Sequence, residues 1–199
     1  PEWMTYLVNA ANSDKKIGIV GYALLEYGLK KDFIQRLGYT ETSKILLRFR
    51  AVGKGEEHKN QFPEVLPVDH TFGLVKREVI EKIGGFDEKA FMSWDEADLC
   101  YRARKIGYKT VAATKAKVYH MGSVTVKKTP YLRVFHYHKN RIRFIMKHLS
   151  LFRKIVNLPL TVGYYVLESG ILLMRGDFRS SMAILNAIFW NIRNVGDYI

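Results

Sequence analysis

Three carboxylates within four residues, Asp95, Glu96 and Asp98, form the group in this sequence that is best suited to chemistry. They directly follow Trp94 in an apolar segment, at the predicted start of a helix. Like charges held this close raise the pKa of at least one carboxyl group, which suits a general base. The spacing therefore indicates a candidate acid–base site.

The same spacing also fits a structural role. Ser93 and Glu96 match the S-x-x-E capping box, and carboxylates near a helix N-terminus are favoured by the helix dipole. Asp98 and Arg102 are four residues apart, the spacing of an intrahelical ion pair. The spacing of these carboxylates therefore fits both a catalytic role and a helix-capping role.

His120 is the second candidate. It ends a predicted strand shortly before Gly122, where a side chain can face a cleft and hold a metal ion. No other His, Cys or acidic residue lies at ligand spacing nearby, so a structural histidine is the alternative.

The hydrophobic periodicity predicts an α/β segment followed by helices only. The predicted elements are a helix over 1–11, a buried strand over 17–21, a loop-rich stretch over 27–61 with at most one strand near 45–49, extended chain over 65–75, a helix over 77–83 stopped by Gly84 and Gly85, a helix from Ser93 to Gly107, strands over 109–113 and 117–120, and helices over 131–149, 155–174 and 178–192.

Composition narrows the function classes. The 199 residues are 48% hydrophobic, enough for a packed core, and the single Cys100 excludes a disulfide framework and a cysteine-based zinc site. The net charge is +13, and Leu99–Leu167 holds fifteen Lys and Arg and no acid. Nucleic acid, an anionic membrane face and a diphosphate-bearing substrate all fit this basic stretch, as does a solvated basic surface.

The order of several motifs resembles the second half of family 2 glycosyltransferases, especially the rhamnosyltransferase-like group. The resemblance covers residues 1 to about 147 and is carried by V-D at 68–69, F-G at 72–73, R-E-V-I at 77–80, G-G-F-D-E at 84–88, D-E-A-D-L-C-Y-R-A at 95–103, G-Y at 107–108 and V-Y-H at 118–120. The G-G-F-D-E block ahead of a carboxylate cluster is the specific part of this signal.

The resemblance implies the C-terminal part of a GT-A fold and inverting transfer from a nucleotide-diphospho-sugar. It places the catalytic base on Glu96, with Asp95 as second candidate because the family's E-D pair is D-E here. It assigns Asp69, Gly73, Trp94 and Asp98 to substrate binding, and His120 to a divalent cation, Mn²⁺ or Mg²⁺.

Relatives carry a nucleotide-binding half and a D-x-D motif that this sequence lacks, so we expect a partial GT-A domain over 1–126 and a helical region over 127–199. The isolated chain is then expected to be inactive, and the cation to bind only where a D-x-D motif is supplied. A non-catalytic subunit that completes a separate donor-binding chain is the alternative. A nucleic-acid-binding protein is a weaker one, because no recognised nucleic-acid motif accompanies the charge.

The segment 155–174 is long enough to cross a bilayer but contains Pro159 and Glu168. Its basic flanks favour an interfacial helix, and a packed soluble helix or a true span are the alternatives. The expected partners are a nucleotide-sugar donor, a glycan or lipid-linked acceptor and an anionic membrane surface, without nucleic acid. The expected location is the cytoplasmic face of the cell membrane.

Overall fold

A computed structural model describes residues 2–28, 32–121 and 129–198. The fold is α/β with a mixed sheet, followed by a helical tail, as the sequence predicted, and it is consistent with part of a glycosyltransferase-like fold. The elements are α1 (Glu2–Asn12), β1 (Ile17–Glu26), β2 (Ile34–Arg36), β3 (Tyr39–Glu41), β4 (Phe49–Ala51), β5 (Val65–Pro67), β6 (Gly73–Val75), α2 (Arg77–Ile83), α3 (Asp95–Lys105), β7 (Lys109–His120), α4 (Pro130–His148), α5 (Leu151–Met174), α6 (Phe178–Arg193) and a short 3-10 helix (Val195–Tyr198).

The described residues divide into two compact units that are not continuous in sequence. The sheet unit comprises the described parts of Pro1–Thr42, Arg48–Phe86 and Glu96–Gly122. The helical unit comprises Ser43–Leu47, Asp87–Asp95 and the described part of Ser123–Ile199. The predicted domain boundary at 126/127 lies outside the described residues.

The sheet is built around the long strands β1 and β7, which pair in parallel. β5 pairs antiparallel with β7, whereas β2 and β6 pair antiparallel with successive parts of β1. The strands predicted over 109–113 and 117–120 form one strand with a register irregularity, since Tyr22 faces Ala113 and Ala23 faces Lys117. The three residues between Ala113 and Lys117 interrupt the regular register of the β1–β7 pair.

Helices cover both faces of β1. Its consecutive residues Ile19 and Val20 point to opposite faces, as strand geometry requires. Val20 packs with Leu7 of α1, whereas Ile19 packs with Val79 of α2 and Leu99 of α3. The predicted helix ends are confirmed at α2, where Gly84 follows with φ 74°.

The segment 27–61 is more regular than predicted. Three short strands, β2, β3 and β4, form there, and the single strand expected near 45–49 is replaced by β4 at Phe49–Ala51. β3 and β4 make their own two-stranded sheet. Strands of three residues are too short to show an alternating pattern, so their partners decide whether they form.

In the helical unit, the three predicted helices are confirmed within a few residues at each end. Their shared core contains Ile142 of α4, Tyr165 of α5 and Ile184 of α6. α5 begins four residues earlier than predicted and continues through Pro159. It is the one helix among the described residues that is long and apolar enough to cross a membrane.

Candidate active site

The loop that leads into the carboxylate cluster has an unusual backbone. Phe91, Ser93 and Trp94 adopt φ of 61°, 63° and 67°, in the left-handed region that non-glycine residues rarely occupy. Each such residue costs on the order of 1 kcal/mol and persists only where surrounding contacts enforce it. Left-handed residues of this kind cluster at functional sites, so the loop directly before Asp95 and Glu96 is a candidate for one.

Asn140 of α4 enforces this loop conformation. Its Nδ2 atom lies 2.7, 2.8 and 2.9 Å from the carbonyl oxygens of Ala90, Met92 and Ser93, and its two hydrogens are shared among these three acceptors. Asn140 is 2% exposed, so these three carbonyl groups find their partner away from water. One buried amide therefore holds the backbone immediately before the carboxylate cluster.

A neighbouring cation, Lys139, holds the start of the same loop. Lys139 donates from Nζ to the carbonyl oxygen of Lys89 at 2.6 Å. Its ammonium group also lies 4.8 Å from the Trp190 ring centroid. Burial and the nearby charge of Arg143 lower the pKa of Lys139 to about 8.

Asp87, in the G-G-F-D-E block, forms ion pairs with two further cations of α4, Arg143 and Lys147. Arg143 and Lys147 donate to its Oδ2 atom at 2.5 and 2.7 Å. Burial acts to raise the pKa of Asp87, but the hydrogen bonds from Lys147 and Arg143 outweigh it and lower the pKa. The sequence suggested that the basic stretch binds an external anion. Two of its cations, Arg143 and Lys147, instead bind Asp87 within the helical unit.

Sequence reasoning missed these positioning residues, although a signal was present. Lys139, Arg143 and Lys147 are spaced four apart and therefore share one face of α4. Asn140 gives no pattern of its own, because its role depends on carbonyl groups almost fifty residues earlier in the chain.

The capping-box interpretation of Ser93 is wrong. α3 begins at Asp95, and Ser93 has φ 63°, whereas a helix N-cap takes an extended backbone. The carbonyl of Ser93 accepts from Asn140 instead. The tertiary hydrogen bonds of the loop therefore override the local capping preference.

Trp94 and Asp95 belong to the helical unit. The Trp94 ring packs against Phe144 at 5.4 Å and Tyr137 at 6.2 Å between ring centroids, both on α4. These contacts fix the orientation of the indole. The predicted contact of Trp94 with a sugar ring stays a prediction. The predicted role of Asp95 in catalysis also stays a prediction.

Glu96 and Asp98 belong to the sheet unit, on α3. Asp98 is 6% exposed and accepts from Nε of Arg102 at 2.7 Å, so the ion pair expected from their spacing is present. Arg102 also donates to the carbonyl oxygens of Ile83 and Gly85 at 2.7 and 2.8 Å. Asp98 thus helps to fasten α3 to the end of α2, and its predicted role in substrate binding is untested.

Asp69 is bound to the same helix. Its Oδ1 atom pairs with Arg104 of α3, and its Oδ2 atom accepts from the backbone N–H of Glu41 at 2.6 Å. Two residues later, the Thr71 carbonyl accepts from the Cys100 thiol at 3.3 Å. The structure therefore joins the 69–71 segment to the helix that carries Glu96. The role of Asp69 in substrate binding, which the resemblance implied, stays a prediction.

Gly73 has a packing reason to be glycine. A Cβ atom there would lie 2.4 Å from the backbone oxygen of Val20 and 3.2 Å from the Cα atom of Gly21. Because both are backbone atoms, β6 could not pair with β1 at this distance if residue 73 had a side chain. Its predicted contribution to the substrate pocket remains a prediction.

His120 lies at the end of β7 beside Gln35. Its Nδ1 atom is 2.9 Å from Oε1 of Gln35, whose Nε2 atom donates to the His120 carbonyl and to Glu26. No group of three or more His, Cys, Asp or Glu side chains within residues 2–28, 32–121 and 129–198 could hold a metal ion. His120 by itself does not make a cation site, so the predicted ligand role requires donors from elsewhere.

No family model matches the chain. A segment of 65 residues is 37% identical to the low-salt glycan biosynthesis hexosyltransferase Agl10 of Haloferax volcanii, covering 29% of this chain and 20% of that protein. A segment of 72 residues is 32% identical to an N-acetylglucosaminyl-diphospho-decaprenol L-rhamnosyltransferase of Mycobacterium tuberculosis, in each of two strains, covering 36% of this chain and 24% of the relative.

The match therefore spans about a fifth to a quarter of the length of these curated relatives. Both kinds of relative are glycosyltransferases by name. The chain is thus related in part to glycosyltransferases, and this relationship supports a function in glycosyl transfer at that general level.

Proposed function

We propose that this chain is the acceptor-binding and catalytic-base part of an inverting family 2 glycosyltransferase. The observation that supports this most directly is the left-handed backbone of Phe91, Ser93 and Trp94, held by buried hydrogen bonds directly before Asp95 and Glu96. This loop directly precedes two adjacent carboxylates in the chain, and a proton-transfer step requires a carboxylate that is held in place. The partial similarity to glycosyltransferases supplies the reaction class.

The proposed base is Glu96, with Asp95 as the second candidate. In inverting transfer the acceptor hydroxyl oxygen bonds to the anomeric carbon as the bond from that carbon to the nucleoside diphosphate breaks. The hydroxyl proton passes to the Glu96 carboxylate, and the diphosphate leaves with the bonding electrons. No covalent intermediate on the protein is needed for this single displacement.

The proposed donor is a nucleotide-diphospho-sugar, and the proposed acceptor is a glycan or a lipid-linked sugar. A lipid-linked acceptor is supported by the mycobacterial relative, whose name describes a sugar attached through a diphosphate to decaprenol. It also fits the surface of the helical unit described below. The divalent cation remains a proposal that needs ligands beyond the described residues, and no step above depends on it.

The helical unit is proposed to lie on an anionic membrane surface. Five apolar or aromatic side chains of α5 recur at helical spacing and are 44–83% exposed: Leu160, Tyr164, Leu167, Ile171 and Met174. One helix face that leaves this much apolar surface in water is typical of an interfacial helix. This supports a peripheral membrane location, which we propose to be at the cytoplasmic face.

Sugar transfer tests the proposal. The chain would be combined with a donor-binding D-x-D segment of a related transferase and incubated with labelled nucleotide-sugars and diphospho-decaprenol acceptors. We expect label in the lipid fraction only when both parts are present, with inverted configuration at the anomeric carbon. Transfer by the donor-binding part alone, or retention of configuration, would contradict the proposed role.

A further inference from the structure

A cavity of about 640 Å³ lies between α4 and α5 within the helical unit. Its lining includes Arg133, Tyr137, His138 and Arg141 from α4, and Tyr165 and Glu168 from α5. Arg133, Tyr137 and Arg141 are spaced four apart and therefore share one helix face. A volume of several hundred Å³ is typical of small-ligand sites in proteins.

The cavity is positively charged in either state of its histidine. The Nδ1 atom of His138 is 2.7 Å from the Val134 carbonyl oxygen, and Nε2 is 3.2 Å from the Glu168 carboxylate. Because both neighbours accept hydrogen bonds, an imidazolium satisfies both contacts and neutralises Glu168. The two arginines then give a net charge of +2, and neutral His138 gives +1.

Two buried donors in this cavity lack a partner of good geometry. Tyr165 is fully buried, and its hydroxyl group lacks a hydrogen bond of good geometry, although the Arg141 side chain lies close enough to interact with it. The Nε atom of Arg141 is also buried and unpaired, although its NH2 atom donates to the Leu47 carbonyl at 3.3 Å. Buried donors normally have an acceptor, because a buried donor without a hydrogen bond destabilises the fold. The Tyr165 hydroxyl and the Arg141 Nε atom therefore indicate a ligand that accepts hydrogen bonds.

We infer that the α4–α5 cavity binds a phosphate ester through Arg133, Arg141 and Tyr165. Two guanidinium groups and one hydroxyl group supply donors to this cavity, and a phosphate carries several oxygen atoms that can accept from them. Guanidinium groups match phosphate oxygens in pairs. Tyr137 adds an aromatic side chain to the same lining.

The phosphate could be carried by a lipid or be free in solution. Its assignment to a lipid-linked acceptor rests on the proposed function, whereas phosphate binding itself does not. The test therefore measures binding by the chain without turnover. Binding of inorganic pyrophosphate tests for a soluble phosphate. Binding to phosphatidylcholine vesicles that contain decaprenyl diphosphate tests for a lipid phosphate, and vesicles that contain phosphatidylglycerol at equal surface charge provide the comparison.

Arg133→Gln and Tyr165→Phe are the test variants, and Arg179→Gln is the matched control. Arg179 is an exposed cation of α6 outside the cavity, so its removal changes net charge equally. We expect about tenfold weaker binding for Arg133→Gln and about threefold for Tyr165→Phe, with Arg179→Gln within about twofold of wild type. The melting temperature of Tyr165→Phe should change little, because the hydroxyl group lacks a hydrogen bond of good geometry in the free protein.

A preference for decaprenyl diphosphate over phosphatidylglycerol vesicles that Arg133→Gln abolishes would support a lipid phosphate. Pyrophosphate binding without that preference would support a soluble phosphate in the same cavity. Equal losses in Arg133→Gln and Arg179→Gln, or no phosphate binding by the folded chain, would overturn the inference. Phosphate binding in a chain that supports no sugar transfer would count against the proposed function alone.

Discussion

Asn140 donates from Nδ2 to the carbonyl oxygen of Ser93 over 2.9 Å and so holds a residue whose φ is 63°. This hydrogen bond joins the basic helix α4 to the loop that leads into the carboxylate cluster. α4 therefore stabilises this loop, in addition to any contact it makes with a membrane.

Asn140→Asp should destabilise the helical unit by about 3 kcal/mol. The new carboxylate cannot donate, and it would face the carbonyl oxygens of Ala90, Met92 and Ser93 in a buried site. Asn186→Asp is the control, since Asn186 contacts a tyrosine hydroxyl that can donate to a carboxylate instead. Denaturant unfolding measures both, and equal losses would show that Asn140 has no special role.

Glu96→Gln should lower turnover by roughly 100-fold or more, because the amide cannot take the acceptor's proton. Donor affinity should change little. The assay is the reconstituted transfer reaction, with Asp95→Asn measured in parallel and folding checked by circular dichroism. Near-normal turnover in Glu96→Gln together with a large loss in Asp95→Asn would move the base to Asp95, and normal turnover in both would reject the site.

His70 should make the sheet unit less stable in mild acid. Burial, with smaller contributions from Arg104 and Arg36, lowers the pKa of His70 to about 3, and its ring stacks on Tyr39 at 4.5 Å. The unfolded chain takes up a proton near pH 6.5 while the folded chain does not. The stabilising effect is therefore complete above pH 6.5 and is lost at about 1.4 kcal/mol per pH unit below it.

The measurement is the free energy of unfolding between pH 7 and pH 5 for wild type and His70→Phe. The phenyl ring keeps the aromatic packing but cannot titrate, so the difference between the two proteins isolates His70. Burial and the charge of Lys139 also lower the pKa of His136, but this contribution is present in both proteins. Parallel pH profiles would show that His70 does not cause the acid sensitivity.

Asp69 and Arg104 should be energetically coupled. A double-mutant cycle with Asp69→Asn and Arg104→Gln is expected to give about 1 kcal/mol of coupling, since the pair is only partly exposed. If Asp69 serves only to tie its segment to α3, both single variants should weaken transfer alike. A loss of acceptor affinity confined to Asp69→Asn would instead support the predicted substrate contact.

The helical unit should bind anionic vesicles in a salt-sensitive manner. Basic contacts weaken as salt screens them, and an interfacial helix is released by a carbonate wash, whereas a spanning helix is retained. Leu167→Gln, on the exposed face of α5, should weaken binding about tenfold. Val8→Gln, on the exposed part of α1, is the control and should bind normally. Retention of the protein on the vesicles after a high-salt wash and a carbonate wash would exclude the interfacial arrangement.

The sequence by itself determined the features that depend on neighbours a few residues away. The helical periods of α4, α5 and α6, the stop at Gly84 and the Asp98–Arg102 pair all follow from contacts within one or two helical turns. The α/β fold class followed from the same short-range patterns. Such features need no knowledge of what packs beside them.

Only the tertiary structure decided where longer-range partners lie. Ser93 matches a capping motif, yet Asn140, 47 residues away, holds it in a left-handed conformation. Lys139 and Arg143 resemble a solvated basic face, yet they bind Lys89 and Asp87 inside the helical unit. A local pattern states which contacts a side chain can make, whereas burial determines which of them it must make, because a buried polar group left unpaired costs more than a local preference gains.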